Sequence, residues 1–389
     1  MDALGLRLAR ATAPPALVEA AEVIGLALRR PRTLAALLVV WFAHAGYAHD
    51  SRASPRMRAV ASTPWLAEPP FRVVTLQQPH VDWGDALVEV RAVSVNPVDR
   101  VRAMLPWVPF ARWYAPVPQL QDFSGVLRRS LCGKADALPV GTHVYGATTR
   151  GSLAEYALVG CDHVARAPRA LSHAQAAALP TVAFPGIVAL RGRVRPGATT
   201  VLVMGASSAC GQFGVRYARA LGARRVACVA SKAKLERAVA VGCDAALTFD
   251  YRSPAFEVDV LRALRGQVDV VYDAVSSFDT DDYYPVLHET LSSAATAGGA
   301  KAYVGANGLL TDWARLLLSR ALGVDLQKPG FELASHGHLA RDLDAVRDLA
   351  LGLLPDVAQV SRMFNASHVS EAMHRVRDKH PGGKLVLEM

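Results

Sequence analysis

Residues 201–214, VLVMGASSACGQFG, carry the strongest structural signal in the chain. Four apolar residues run into small ones and helical spacing then resumes, so the pattern predicts a strand, a tight turn and a helix. Gly205, Gly211 and Gly214 lack a Cβ, which lets the backbone turn sharply, approach a pyrophosphate and pack the helix closely on the strand. Because Ser208 interrupts the usual glycine spacing, an ordinary strand–helix turn is an equally good interpretation of this stretch alone.

The next predicted strand, RVACVA at residues 225–230, ends in Ser231 and Lys232. An NAD-binding unit places an Asp or Glu here, on the ribose 2′-hydroxyl. A hydroxyl and ammonium groups would instead attract a 2′-phosphate, so the sequence favours NADPH, with a solvated helix start as the alternative. Further strands at 245–249 and 268–274, alternating with helices, predict a doubly wound parallel sheet of the α/β class.

Length and composition limit the function classes. The chain has 389 residues, which suits two domains and an extension, and a formal charge of +9, which favours anionic ligands or surfaces. No Lys/Arg run resembles a nucleic-acid arm, so nucleic acid is disfavoured as a partner. The five cysteines are scattered without a CxxC pair, which argues against structural zinc and against a disulfide scaffold, and suits a reducing compartment.

Residues 1–56 differ from the rest and form a predicted helical extension. The apolar run LAALLVVWFAHAGYA at 34–48 follows the basic Arg29, Arg30 and Arg32. As a helix this run spans about 22 Å, short of the roughly 30 Å hydrocarbon core. Three interpretations stay open: a helix on a membrane surface, an organelle-targeting segment such as a mitochondrial one, and a helix packed on the protein body. The expected location is intracellular.

The remaining patterns describe the folded body. Short strands separated by Pro and Gly predict a mostly β domain, with strands at 72–75, 86–95, 142–145 and 153–159. Helical spacing predicts helices at 313–322 and 336–354. His336 and His338 near the second helix are interpreted as solvated loop histidines rather than metal ligands.

Several phrases in the body occur together in one known family. They are SVNPVDR at 94–100, DFSGV at 122–126, GSLAEYALV at 151–159, AAALPTVAFPGIVAL at 176–190, VDVVYDAV at 268–275 and the terminal GGKLVL. In this order they resemble the medium-chain dehydrogenase/reductase superfamily, and within it the zinc-independent quinone oxidoreductase and enoyl reductase branch. The resemblance covers residues 57–389. It implies a GroES-like catalytic domain at 57–180, a Rossmann domain that binds NADPH at 181–334, and a return to the catalytic domain at 335–389.

The resemblance also bears on metal chemistry. Zinc alcohol dehydrogenases of this superfamily carry a Cys ligand near the position of Asn96 and a Gly-His-Glu phrase near Asp122 to Ser124. Neither Asn96 nor Phe123 can replace a thiolate or an imidazole on zinc. The implied reaction is hydride transfer to quinones or α,β-unsaturated carbonyls, which delocalise the added charge onto oxygen. A noncatalytic NADPH-sensing or RNA-binding protein on the same fold stays open as an alternative.

Site residues follow from the resemblance by position. It assigns Asn96 to the nicotinamide pocket, where a turn-forming role is the alternative, and Thr181 to a place beside the nicotinamide, where a helix cap is the alternative. The remaining cofactor contacts are Gly205, Ser208 and Gly211 on the phosphates, Ser231 and Lys232 on the 2′-phosphate, and Lys384 from the C-terminal strand. For Lys384, an exposed strand-edge lysine is the alternative. Enoyl thioester reductases place a catalytic Tyr shortly after the Asn-Pro phrase, but the first tyrosine here is Tyr114. Tyr114 is a candidate catalytic substitute from a loop, and a packed aromatic is the favoured interpretation. The expected partner is a small quinone or enone, and a homodimer is left open.

Overall fold

The computed structural model of the chain describes residues 55–62, 71–99, 118–133, 138–277, 280–297, 302–334, 339–354, 357–377 and 383–389. The predictions made for residues 1–54, for Tyr114 and for His336 and His338 lie outside these residues. Among the residues that are described, none of the helices combines the length and the apolar composition needed to cross a membrane.

The secondary structure alternates between strands and helices over the central part of the chain. The strands are β1 (Arg56–Ser62), β2 (Phe71–Gln77), β3 (Asp85–Ser94), β4 (Asp122–Ser130), β5 (His143–Ala147), β6 (Tyr156–Gly160), β7 (Val164–Arg166), β8 (Thr200–Met204), β9 (Arg225–Ala230), β10 (Thr248–Asp250), β11 (Val270–Asp273), β12 (Tyr303–Gly305), β13 (Phe331–Leu333), β14 (Val357–Arg362) and β15 (Lys384–Glu388). The helices are α1 (His173–Ala177), α2 (Pro180–Leu190), α3 (Ala209–Ala220), α4 (Leu235–Val241), α5 (Phe256–Leu264), α6 (Tyr284–Leu287), α7 (Ser293–Thr296), α8 (Leu310–Leu322), α9 (Leu339–Ala345), α10 (Ala350–Leu353) and α11 (Ala366–Arg377).

A six-stranded parallel sheet occupies the middle of the chain, in the order β10-β9-β8-β11-β12-β13. Every residue of β8 is buried, and its side chains alternate between two cores. Val201 and Val203 pack with residues of α2 and α3, whereas Leu202 and Met204 pack with residues of α5 and α8. Helices therefore cover both faces, and the predicted doubly wound sheet is confirmed.

A second, mostly antiparallel sheet is built from both ends of the described chain. Its order is β14-β15-β3-β4-β5-β7, with β6 paired to β3, while β1 and β2 form a separate antiparallel pair. Phe123 and Leu127 of β4 lie in its core together with Met363 and Val369 from the C-terminal part. The fold is thus an α/β Rossmann-type sheet joined to a GroES-like antiparallel part, as the sequence predicts.

The predicted helix at 336–354 is wrong in its continuity. The structure has the short helices α9 and α10 there, separated by a 3₁₀ turn at Arg347–Leu349. The apolar residues Leu339, Leu343 and Ala350 are buried as the helical period requires, but the period specifies only the buried side and not an unbroken run of hydrogen bonds. The polar residue Asp342 is buried as well, and it forms an ion pair with Arg191 at 2.5 Å.

The expectation that the cysteines form no disulfides is also wrong. Two disulfides are present, Cys132–Cys161 and Cys228–Cys243, with Cα–Cα distances of 5.6 and 5.9 Å. Cys132–Cys161 lies in the antiparallel part, and Cys228–Cys243 lies at the parallel sheet. Their sequence separations of 29 and 15 gave no local motif, because the strand pairing that brings the sulfurs together is not visible in the spacing of the cysteines.

Candidate functional site

The turn between β8 and α3 and the start of α3 leave no room for a side chain at their glycine positions. Gly205 has a φ of 75°, and a Cβ there would lie 2.1 Å from Val275 Cγ2. A Cβ on Gly211 would lie 2.1 Å from the carbonyl oxygen of Gly205, and one on Gly214 would lie 2.5 Å from the Tyr272 ring. The three glycines therefore close the turn and seat α3 on the sheet, as the sequence pattern suggested.

Ser208 has a structural role in this turn. It is the N-cap of α3, and its Oγ accepts a hydrogen bond from the Gly211 backbone N–H at 3.0 Å. The N–H groups of Ala209 and Cys210 precede the first intrahelical bond and stay available at the positive end of the helix. A tight glycine-containing turn that leads into a helix N-terminus fits the pyrophosphate of a dinucleotide.

The carboxyl ends of β9 and β10 form an exposed edge beside this turn. Ser231 and Lys232 follow β9 directly, and Lys232 is exposed. Tyr251 follows β10, and its backbone N–H donates to the carbonyl of Ala230 at 3.3 Å. Arg252 is exposed and lies over the Tyr251 ring at 5.4 Å. Arg252 and Tyr251 were missed in the sequence, although their place after a short strand was the available signal.

A group of polar residues that we call the Asp122 cluster lies on the face of the antiparallel sheet that α1 and α2 cover. Its members are Ser94, Asn96, Asp122, Thr181 and Lys384. Strand register brings the strand residues together, because Ser94 pairs with both Asp122 on β4 and Val386 on β15. Lys384 lies two residues before Val386 and Asn96 two residues after Ser94, so their side chains share one face.

Asp122 is the centre of this cluster. Its Oδ2 accepts hydrogen bonds from Ser94 Oγ at 3.0 Å and Asn96 Nδ2 at 2.9 Å, and its Oδ1 accepts one from Thr181 Oγ1 at 2.6 Å. Lys384 Nζ lies 3.9 Å from Asp122 Oδ2 and donates to Asn96 Oδ1. Asn96 therefore bridges the two charged groups.

The cluster is almost closed to solvent. Asp122 is 0% exposed, Asn96 2% and Lys384 5%, so Lys384 is not an exposed strand-edge lysine. Burial raises the pKa of Asp122, while the Lys384 ammonium and the side-chain donors oppose that rise. Every polar neighbour of the carboxylate described above is a donor, which favours the ionised form of Asp122. A buried carboxylate and a buried ammonium thus balance each other.

Asp122 also connects the antiparallel sheet to α2. The backbone N–H of Thr181, in the first turn of α2, lies 3.2 Å from Asp122 Oδ1. This is a carboxylate at the positive end of a helix, supplied by another element of the fold. In addition, Gln121 Nε2 donates to Thr181 Oγ1 at 2.9 Å. Asp122 and Gln121 were not assigned roles from the sequence, although an isolated acid in the apolar phrase DFSGV was a signal.

Helix α2, which carries Thr181 of the Asp122 cluster, packs against α3. A Cβ on Gly186 of α2 would lie 2.8 Å from the Phe213 ring of α3. Burial raises the pKa of the Cys210 thiol, at the start of α3, to about 11. The glycine turn and the Asp122 cluster are therefore joined through α2. The structure thus brings together Gly205, Gly211, Asn96, Thr181 and Lys384, whereas Ser231 and Lys232 lie at the separate edge.

Backbone strain occurs next to the cluster. Leu120 has a φ of 60°, in the left-handed region that residues other than glycine rarely adopt, and its side chain is 2% exposed. It directly precedes Gln121 and Asp122. Strain of this kind persists only where the surrounding structure overdetermines it, and it commonly accompanies functional residues.

A second polar layer follows Asp122 along β4. Ser124 Oγ is 2.8 Å from His143 Nε2 and 3.0 Å from His173 Nδ1, and the two imidazole rings lie 4.0 Å apart. Burial and then the charge of His173 lower the pKa of His143 to about 4. Within the described part of the chain, no group of three or more His, Cys, Asp or Glu side chains is placed to hold a metal ion.

The architecture defines a class of protein: a Rossmann-type sheet with a glycine turn, closed by a GroES-like sheet. No protein-family model matches the chain. The chain is 30% identical over 247 residues to 2-methylene-furan-3-one reductase of Solanum lycopersicum, which covers 59% of the chain and 60% of that protein. It is 29% identical over 323 residues to the chloroplastic NADPH-dependent alkenal/one oxidoreductase of Arabidopsis thaliana, covering 79% of the chain and 73% of that protein.

The solved structures agree in fold. The quinone oxidoreductase of Coxiella burnetii superposes with a TM-score of 0.65 at 20% identity, over 86% of this chain and 100% of that one. In sequence and in fold, the chain is similar to the quinone oxidoreductase and alkenal/one reductase branch of the medium-chain dehydrogenase/reductase superfamily. This confirms the family resemblance seen in the sequence.

Proposed function

We propose that the protein is an NADPH-dependent reductase of α,β-unsaturated carbonyls or quinones. The observation that carries this proposal is the glycine turn at the start of α3, which is joined to the Asp122 cluster through the packing of α2 against α3. The names of the tomato and Arabidopsis relatives describe reductases of conjugated carbonyls, which supports the same substrate class here.

NADPH is proposed over NADH from the exposed edge after β9 and β10. Lys232 and Arg252 place two cations there, with the Ser231 hydroxyl beside them. A 2′-phosphate carries charge that such an edge attracts, whereas a ribose hydroxyl gains little from it. The name of the Arabidopsis relative also specifies NADPH.

Each part of the site has a task in this proposal. The reduced nicotinamide would supply the hydride when bound. Gly205 and Gly211 close the turn, so that the start of α3 can face the pyrophosphate and offset its charge. The Asp122 cluster fixes the start of α2 against the antiparallel sheet. We further propose that residues 181–334 form the NADPH-binding domain and residues 57–180 with 335–389 the catalytic domain.

Turnover tests the proposed function directly. The full chain is incubated with NADPH and either phenanthrenequinone or a small enone, and the loss of NADPH absorbance is followed. Reduction of at least one acceptor class, with NADPH preferred over NADH, is expected. Tight NADPH binding without turnover on a broad acceptor panel would contradict the reductase proposal and favour a noncatalytic sensor on the same fold.

A further inference from the structure

The hydrogen-bond directions around Asp122 determine how Gln121 is oriented. The Asp122 carboxylate only accepts, so the Thr181 hydroxyl must donate its single proton to Oδ1, and the 2.6 Å distance is typical of a charge-assisted bond. The Thr181 oxygen can then act only as an acceptor toward Gln121. Its partner must be the amide Nε2, and the two possible amide orientations of Gln121 are reduced to one.

This orientation leaves Gln121 with unused hydrogen-bonding capacity. The Nε2 group has two N–H donors, and Thr181 takes one of them. Among the described residues no acceptor takes the other, and Gln121 is half-buried rather than exposed. The amide is therefore held on one side and offers a donor on the other.

The position of Gln121 is fixed from the backbone as well. It lies between Leu120, whose buried side chain holds a left-handed backbone, and Asp122, which is 0% exposed. Its backbone carbonyl accepts a hydrogen bond from the Thr148 N–H at 2.9 Å. A donor that is fixed before substrate arrives needs little reorganisation when charge develops, which is the condition for stabilising a transition state.

We propose that Gln121 is a catalytic residue that donates its free amide N–H to the carbonyl oxygen of a conjugated substrate. This inference rests on the proposed reductase function. In the step concerned, hydride from the reduced nicotinamide forms a C–H bond at the β carbon, and the electrons of the C=C bond move to give an enolate. The nicotinamide is oxidised, the negative charge gathers on the substrate oxygen facing Gln121, and solvent later supplies a proton to the α carbon.

The Asp122 cluster supports this role. Because Thr181 gives its proton to a carboxylate, its oxygen is a stronger acceptor for Gln121, and the hydrogen-bonded series Asp122–Thr181–Gln121 holds the amide in one orientation. Thr181→Ser keeps this chain and Thr181→Val breaks it. Thr181 acts through Gln121 in this respect and is a positioning residue.

The test compares Gln121→Met, which has similar length but no donor, with Gln121→His, which keeps an N–H. For Gln121→Met, loss of one preorganised donor is expected to lower the single-turnover rate with an enone by about a hundredfold. The dissociation constant for NADPH should stay unchanged, and Gln121→His should retain most of the rate. Gln77→Met, on an exposed position of β2, is the matched control and should behave as the wild type.

A spectroscopic measurement separates this inference from the proposed function. The chromophoric enal dimethylaminocinnamaldehyde is bound in the presence of NADP⁺, and its absorption maximum shifts to the red when its carbonyl accepts a hydrogen bond. The shift is expected in the wild type and Gln121→His and not in Gln121→Met. An unchanged shift and rate in Gln121→Met would overturn the role of Gln121. A normal shift in a protein that turns over no acceptor would uphold the contact while the reductase function fails.

Discussion

The Asp122 cluster and the edge formed by Ser231, Lys232 and Arg252 are both polar, but they are built in opposite ways. In the cluster, a carboxylate and an ammonium are buried and joined through the Asn96 amide. At the edge, Lys232 and Arg252 are exposed to solvent. The difference indicates that the charges of the cluster are satisfied within the fold, whereas the charges of the edge face solvent.

Removal of the Asp122 carboxylate should have the largest effect on stability. Asp122→Ala leaves Lys384 buried without a counter-charge, and the free energy of unfolding is expected to fall by about 3–5 kcal/mol. Urea unfolding measures it. Asp259→Ala, at a half-exposed ion pair with Arg262, is the control and should cost less than about 1 kcal/mol. Equal losses for the two variants would show that the cluster is no more than a surface-like ion pair.

If Asp122→Ala does not accumulate as folded protein, the double variant Asp122→Ala with Lys384→Met supplies the same test. It removes both buried charges, so it should be more stable than Asp122→Ala alone. A double variant that is less stable than the single one would contradict the charge-balance explanation.

The glycine turn is the third region to test, and an added methyl group there should affect both stability and cofactor affinity. Gly211→Ala places a Cβ against the carbonyl oxygen of Gly205, so a loss of about 1–3 kcal/mol in the free energy of unfolding and a weaker affinity for NADPH are expected. Gly352→Ala, in α10 with no atom within 4 Å of the added Cβ, is the control. It should be neutral or stabilising by up to about 1 kcal/mol. A stable, tightly binding Gly211→Ala would mean that the turn has room to spare.

The edge should respond in affinity and not in stability. In the double variant Ser231→Ala with Lys232→Ala, the dissociation constant for NADPH should rise about tenfold, which corresponds to about 1.4 kcal/mol. Affinity for NADH should not change, because NADH lacks the 2′-phosphate. Arg72→Ala, which removes a cation from exposed β2, controls for net charge. Unchanged NADPH affinity would remove the 2′-phosphate assignment.

The smallest effect is expected in the second polar layer, because its histidines His143 and His173 are half-buried. Folding lowers the pKa of His143 from 6.5 to about 4, so between these values the unfolded chain binds a proton that the folded protein does not. Stability from this group is complete above about pH 6.5 and is lost as the pH falls toward 4, by about 1 kcal/mol because the ring is only half-buried.

His143→Gln should therefore flatten the dependence of the unfolding free energy on pH between about pH 7 and pH 5. Urea unfolding at the two pH values measures this. His80→Gln, at an exposed ring, is the control and should keep the wild-type slope. A slope for His143→Gln identical to that of the wild type would assign the acid sensitivity to other groups.

The elements that depend on a single short segment of sequence could be predicted. The turn at Gly205 and Gly211 and the strand at 225–230 follow from apolar periodicity and from glycine within a single short segment. The Asp122 cluster could not be predicted in this way, because its members lie on β3, β4, α2 and β15 and meet only through strand register. The same holds for both disulfides.

The structure adds protein partners to individual predicted site residues. Asn96 is predicted to lie at the nicotinamide pocket, and its amide bridges Lys384 and Asp122. Ser208 is predicted to contact phosphate, and its oxygen caps α3. In both cases a local motif identified an important residue, while its partners came from distant segments.

The backbone conformation of Leu120 limits which residues can replace it. The left-handed backbone costs about 1–2 kcal/mol, and burial of the leucine side chain offsets it. Glycine would relieve the backbone but lose the anchor, and a β-branched residue would keep the anchor but raise the conformational cost. Substitution of Leu120 would displace both Gln121 and Asp122. Library mutagenesis to alter substrate range should therefore leave Leu120 unchanged.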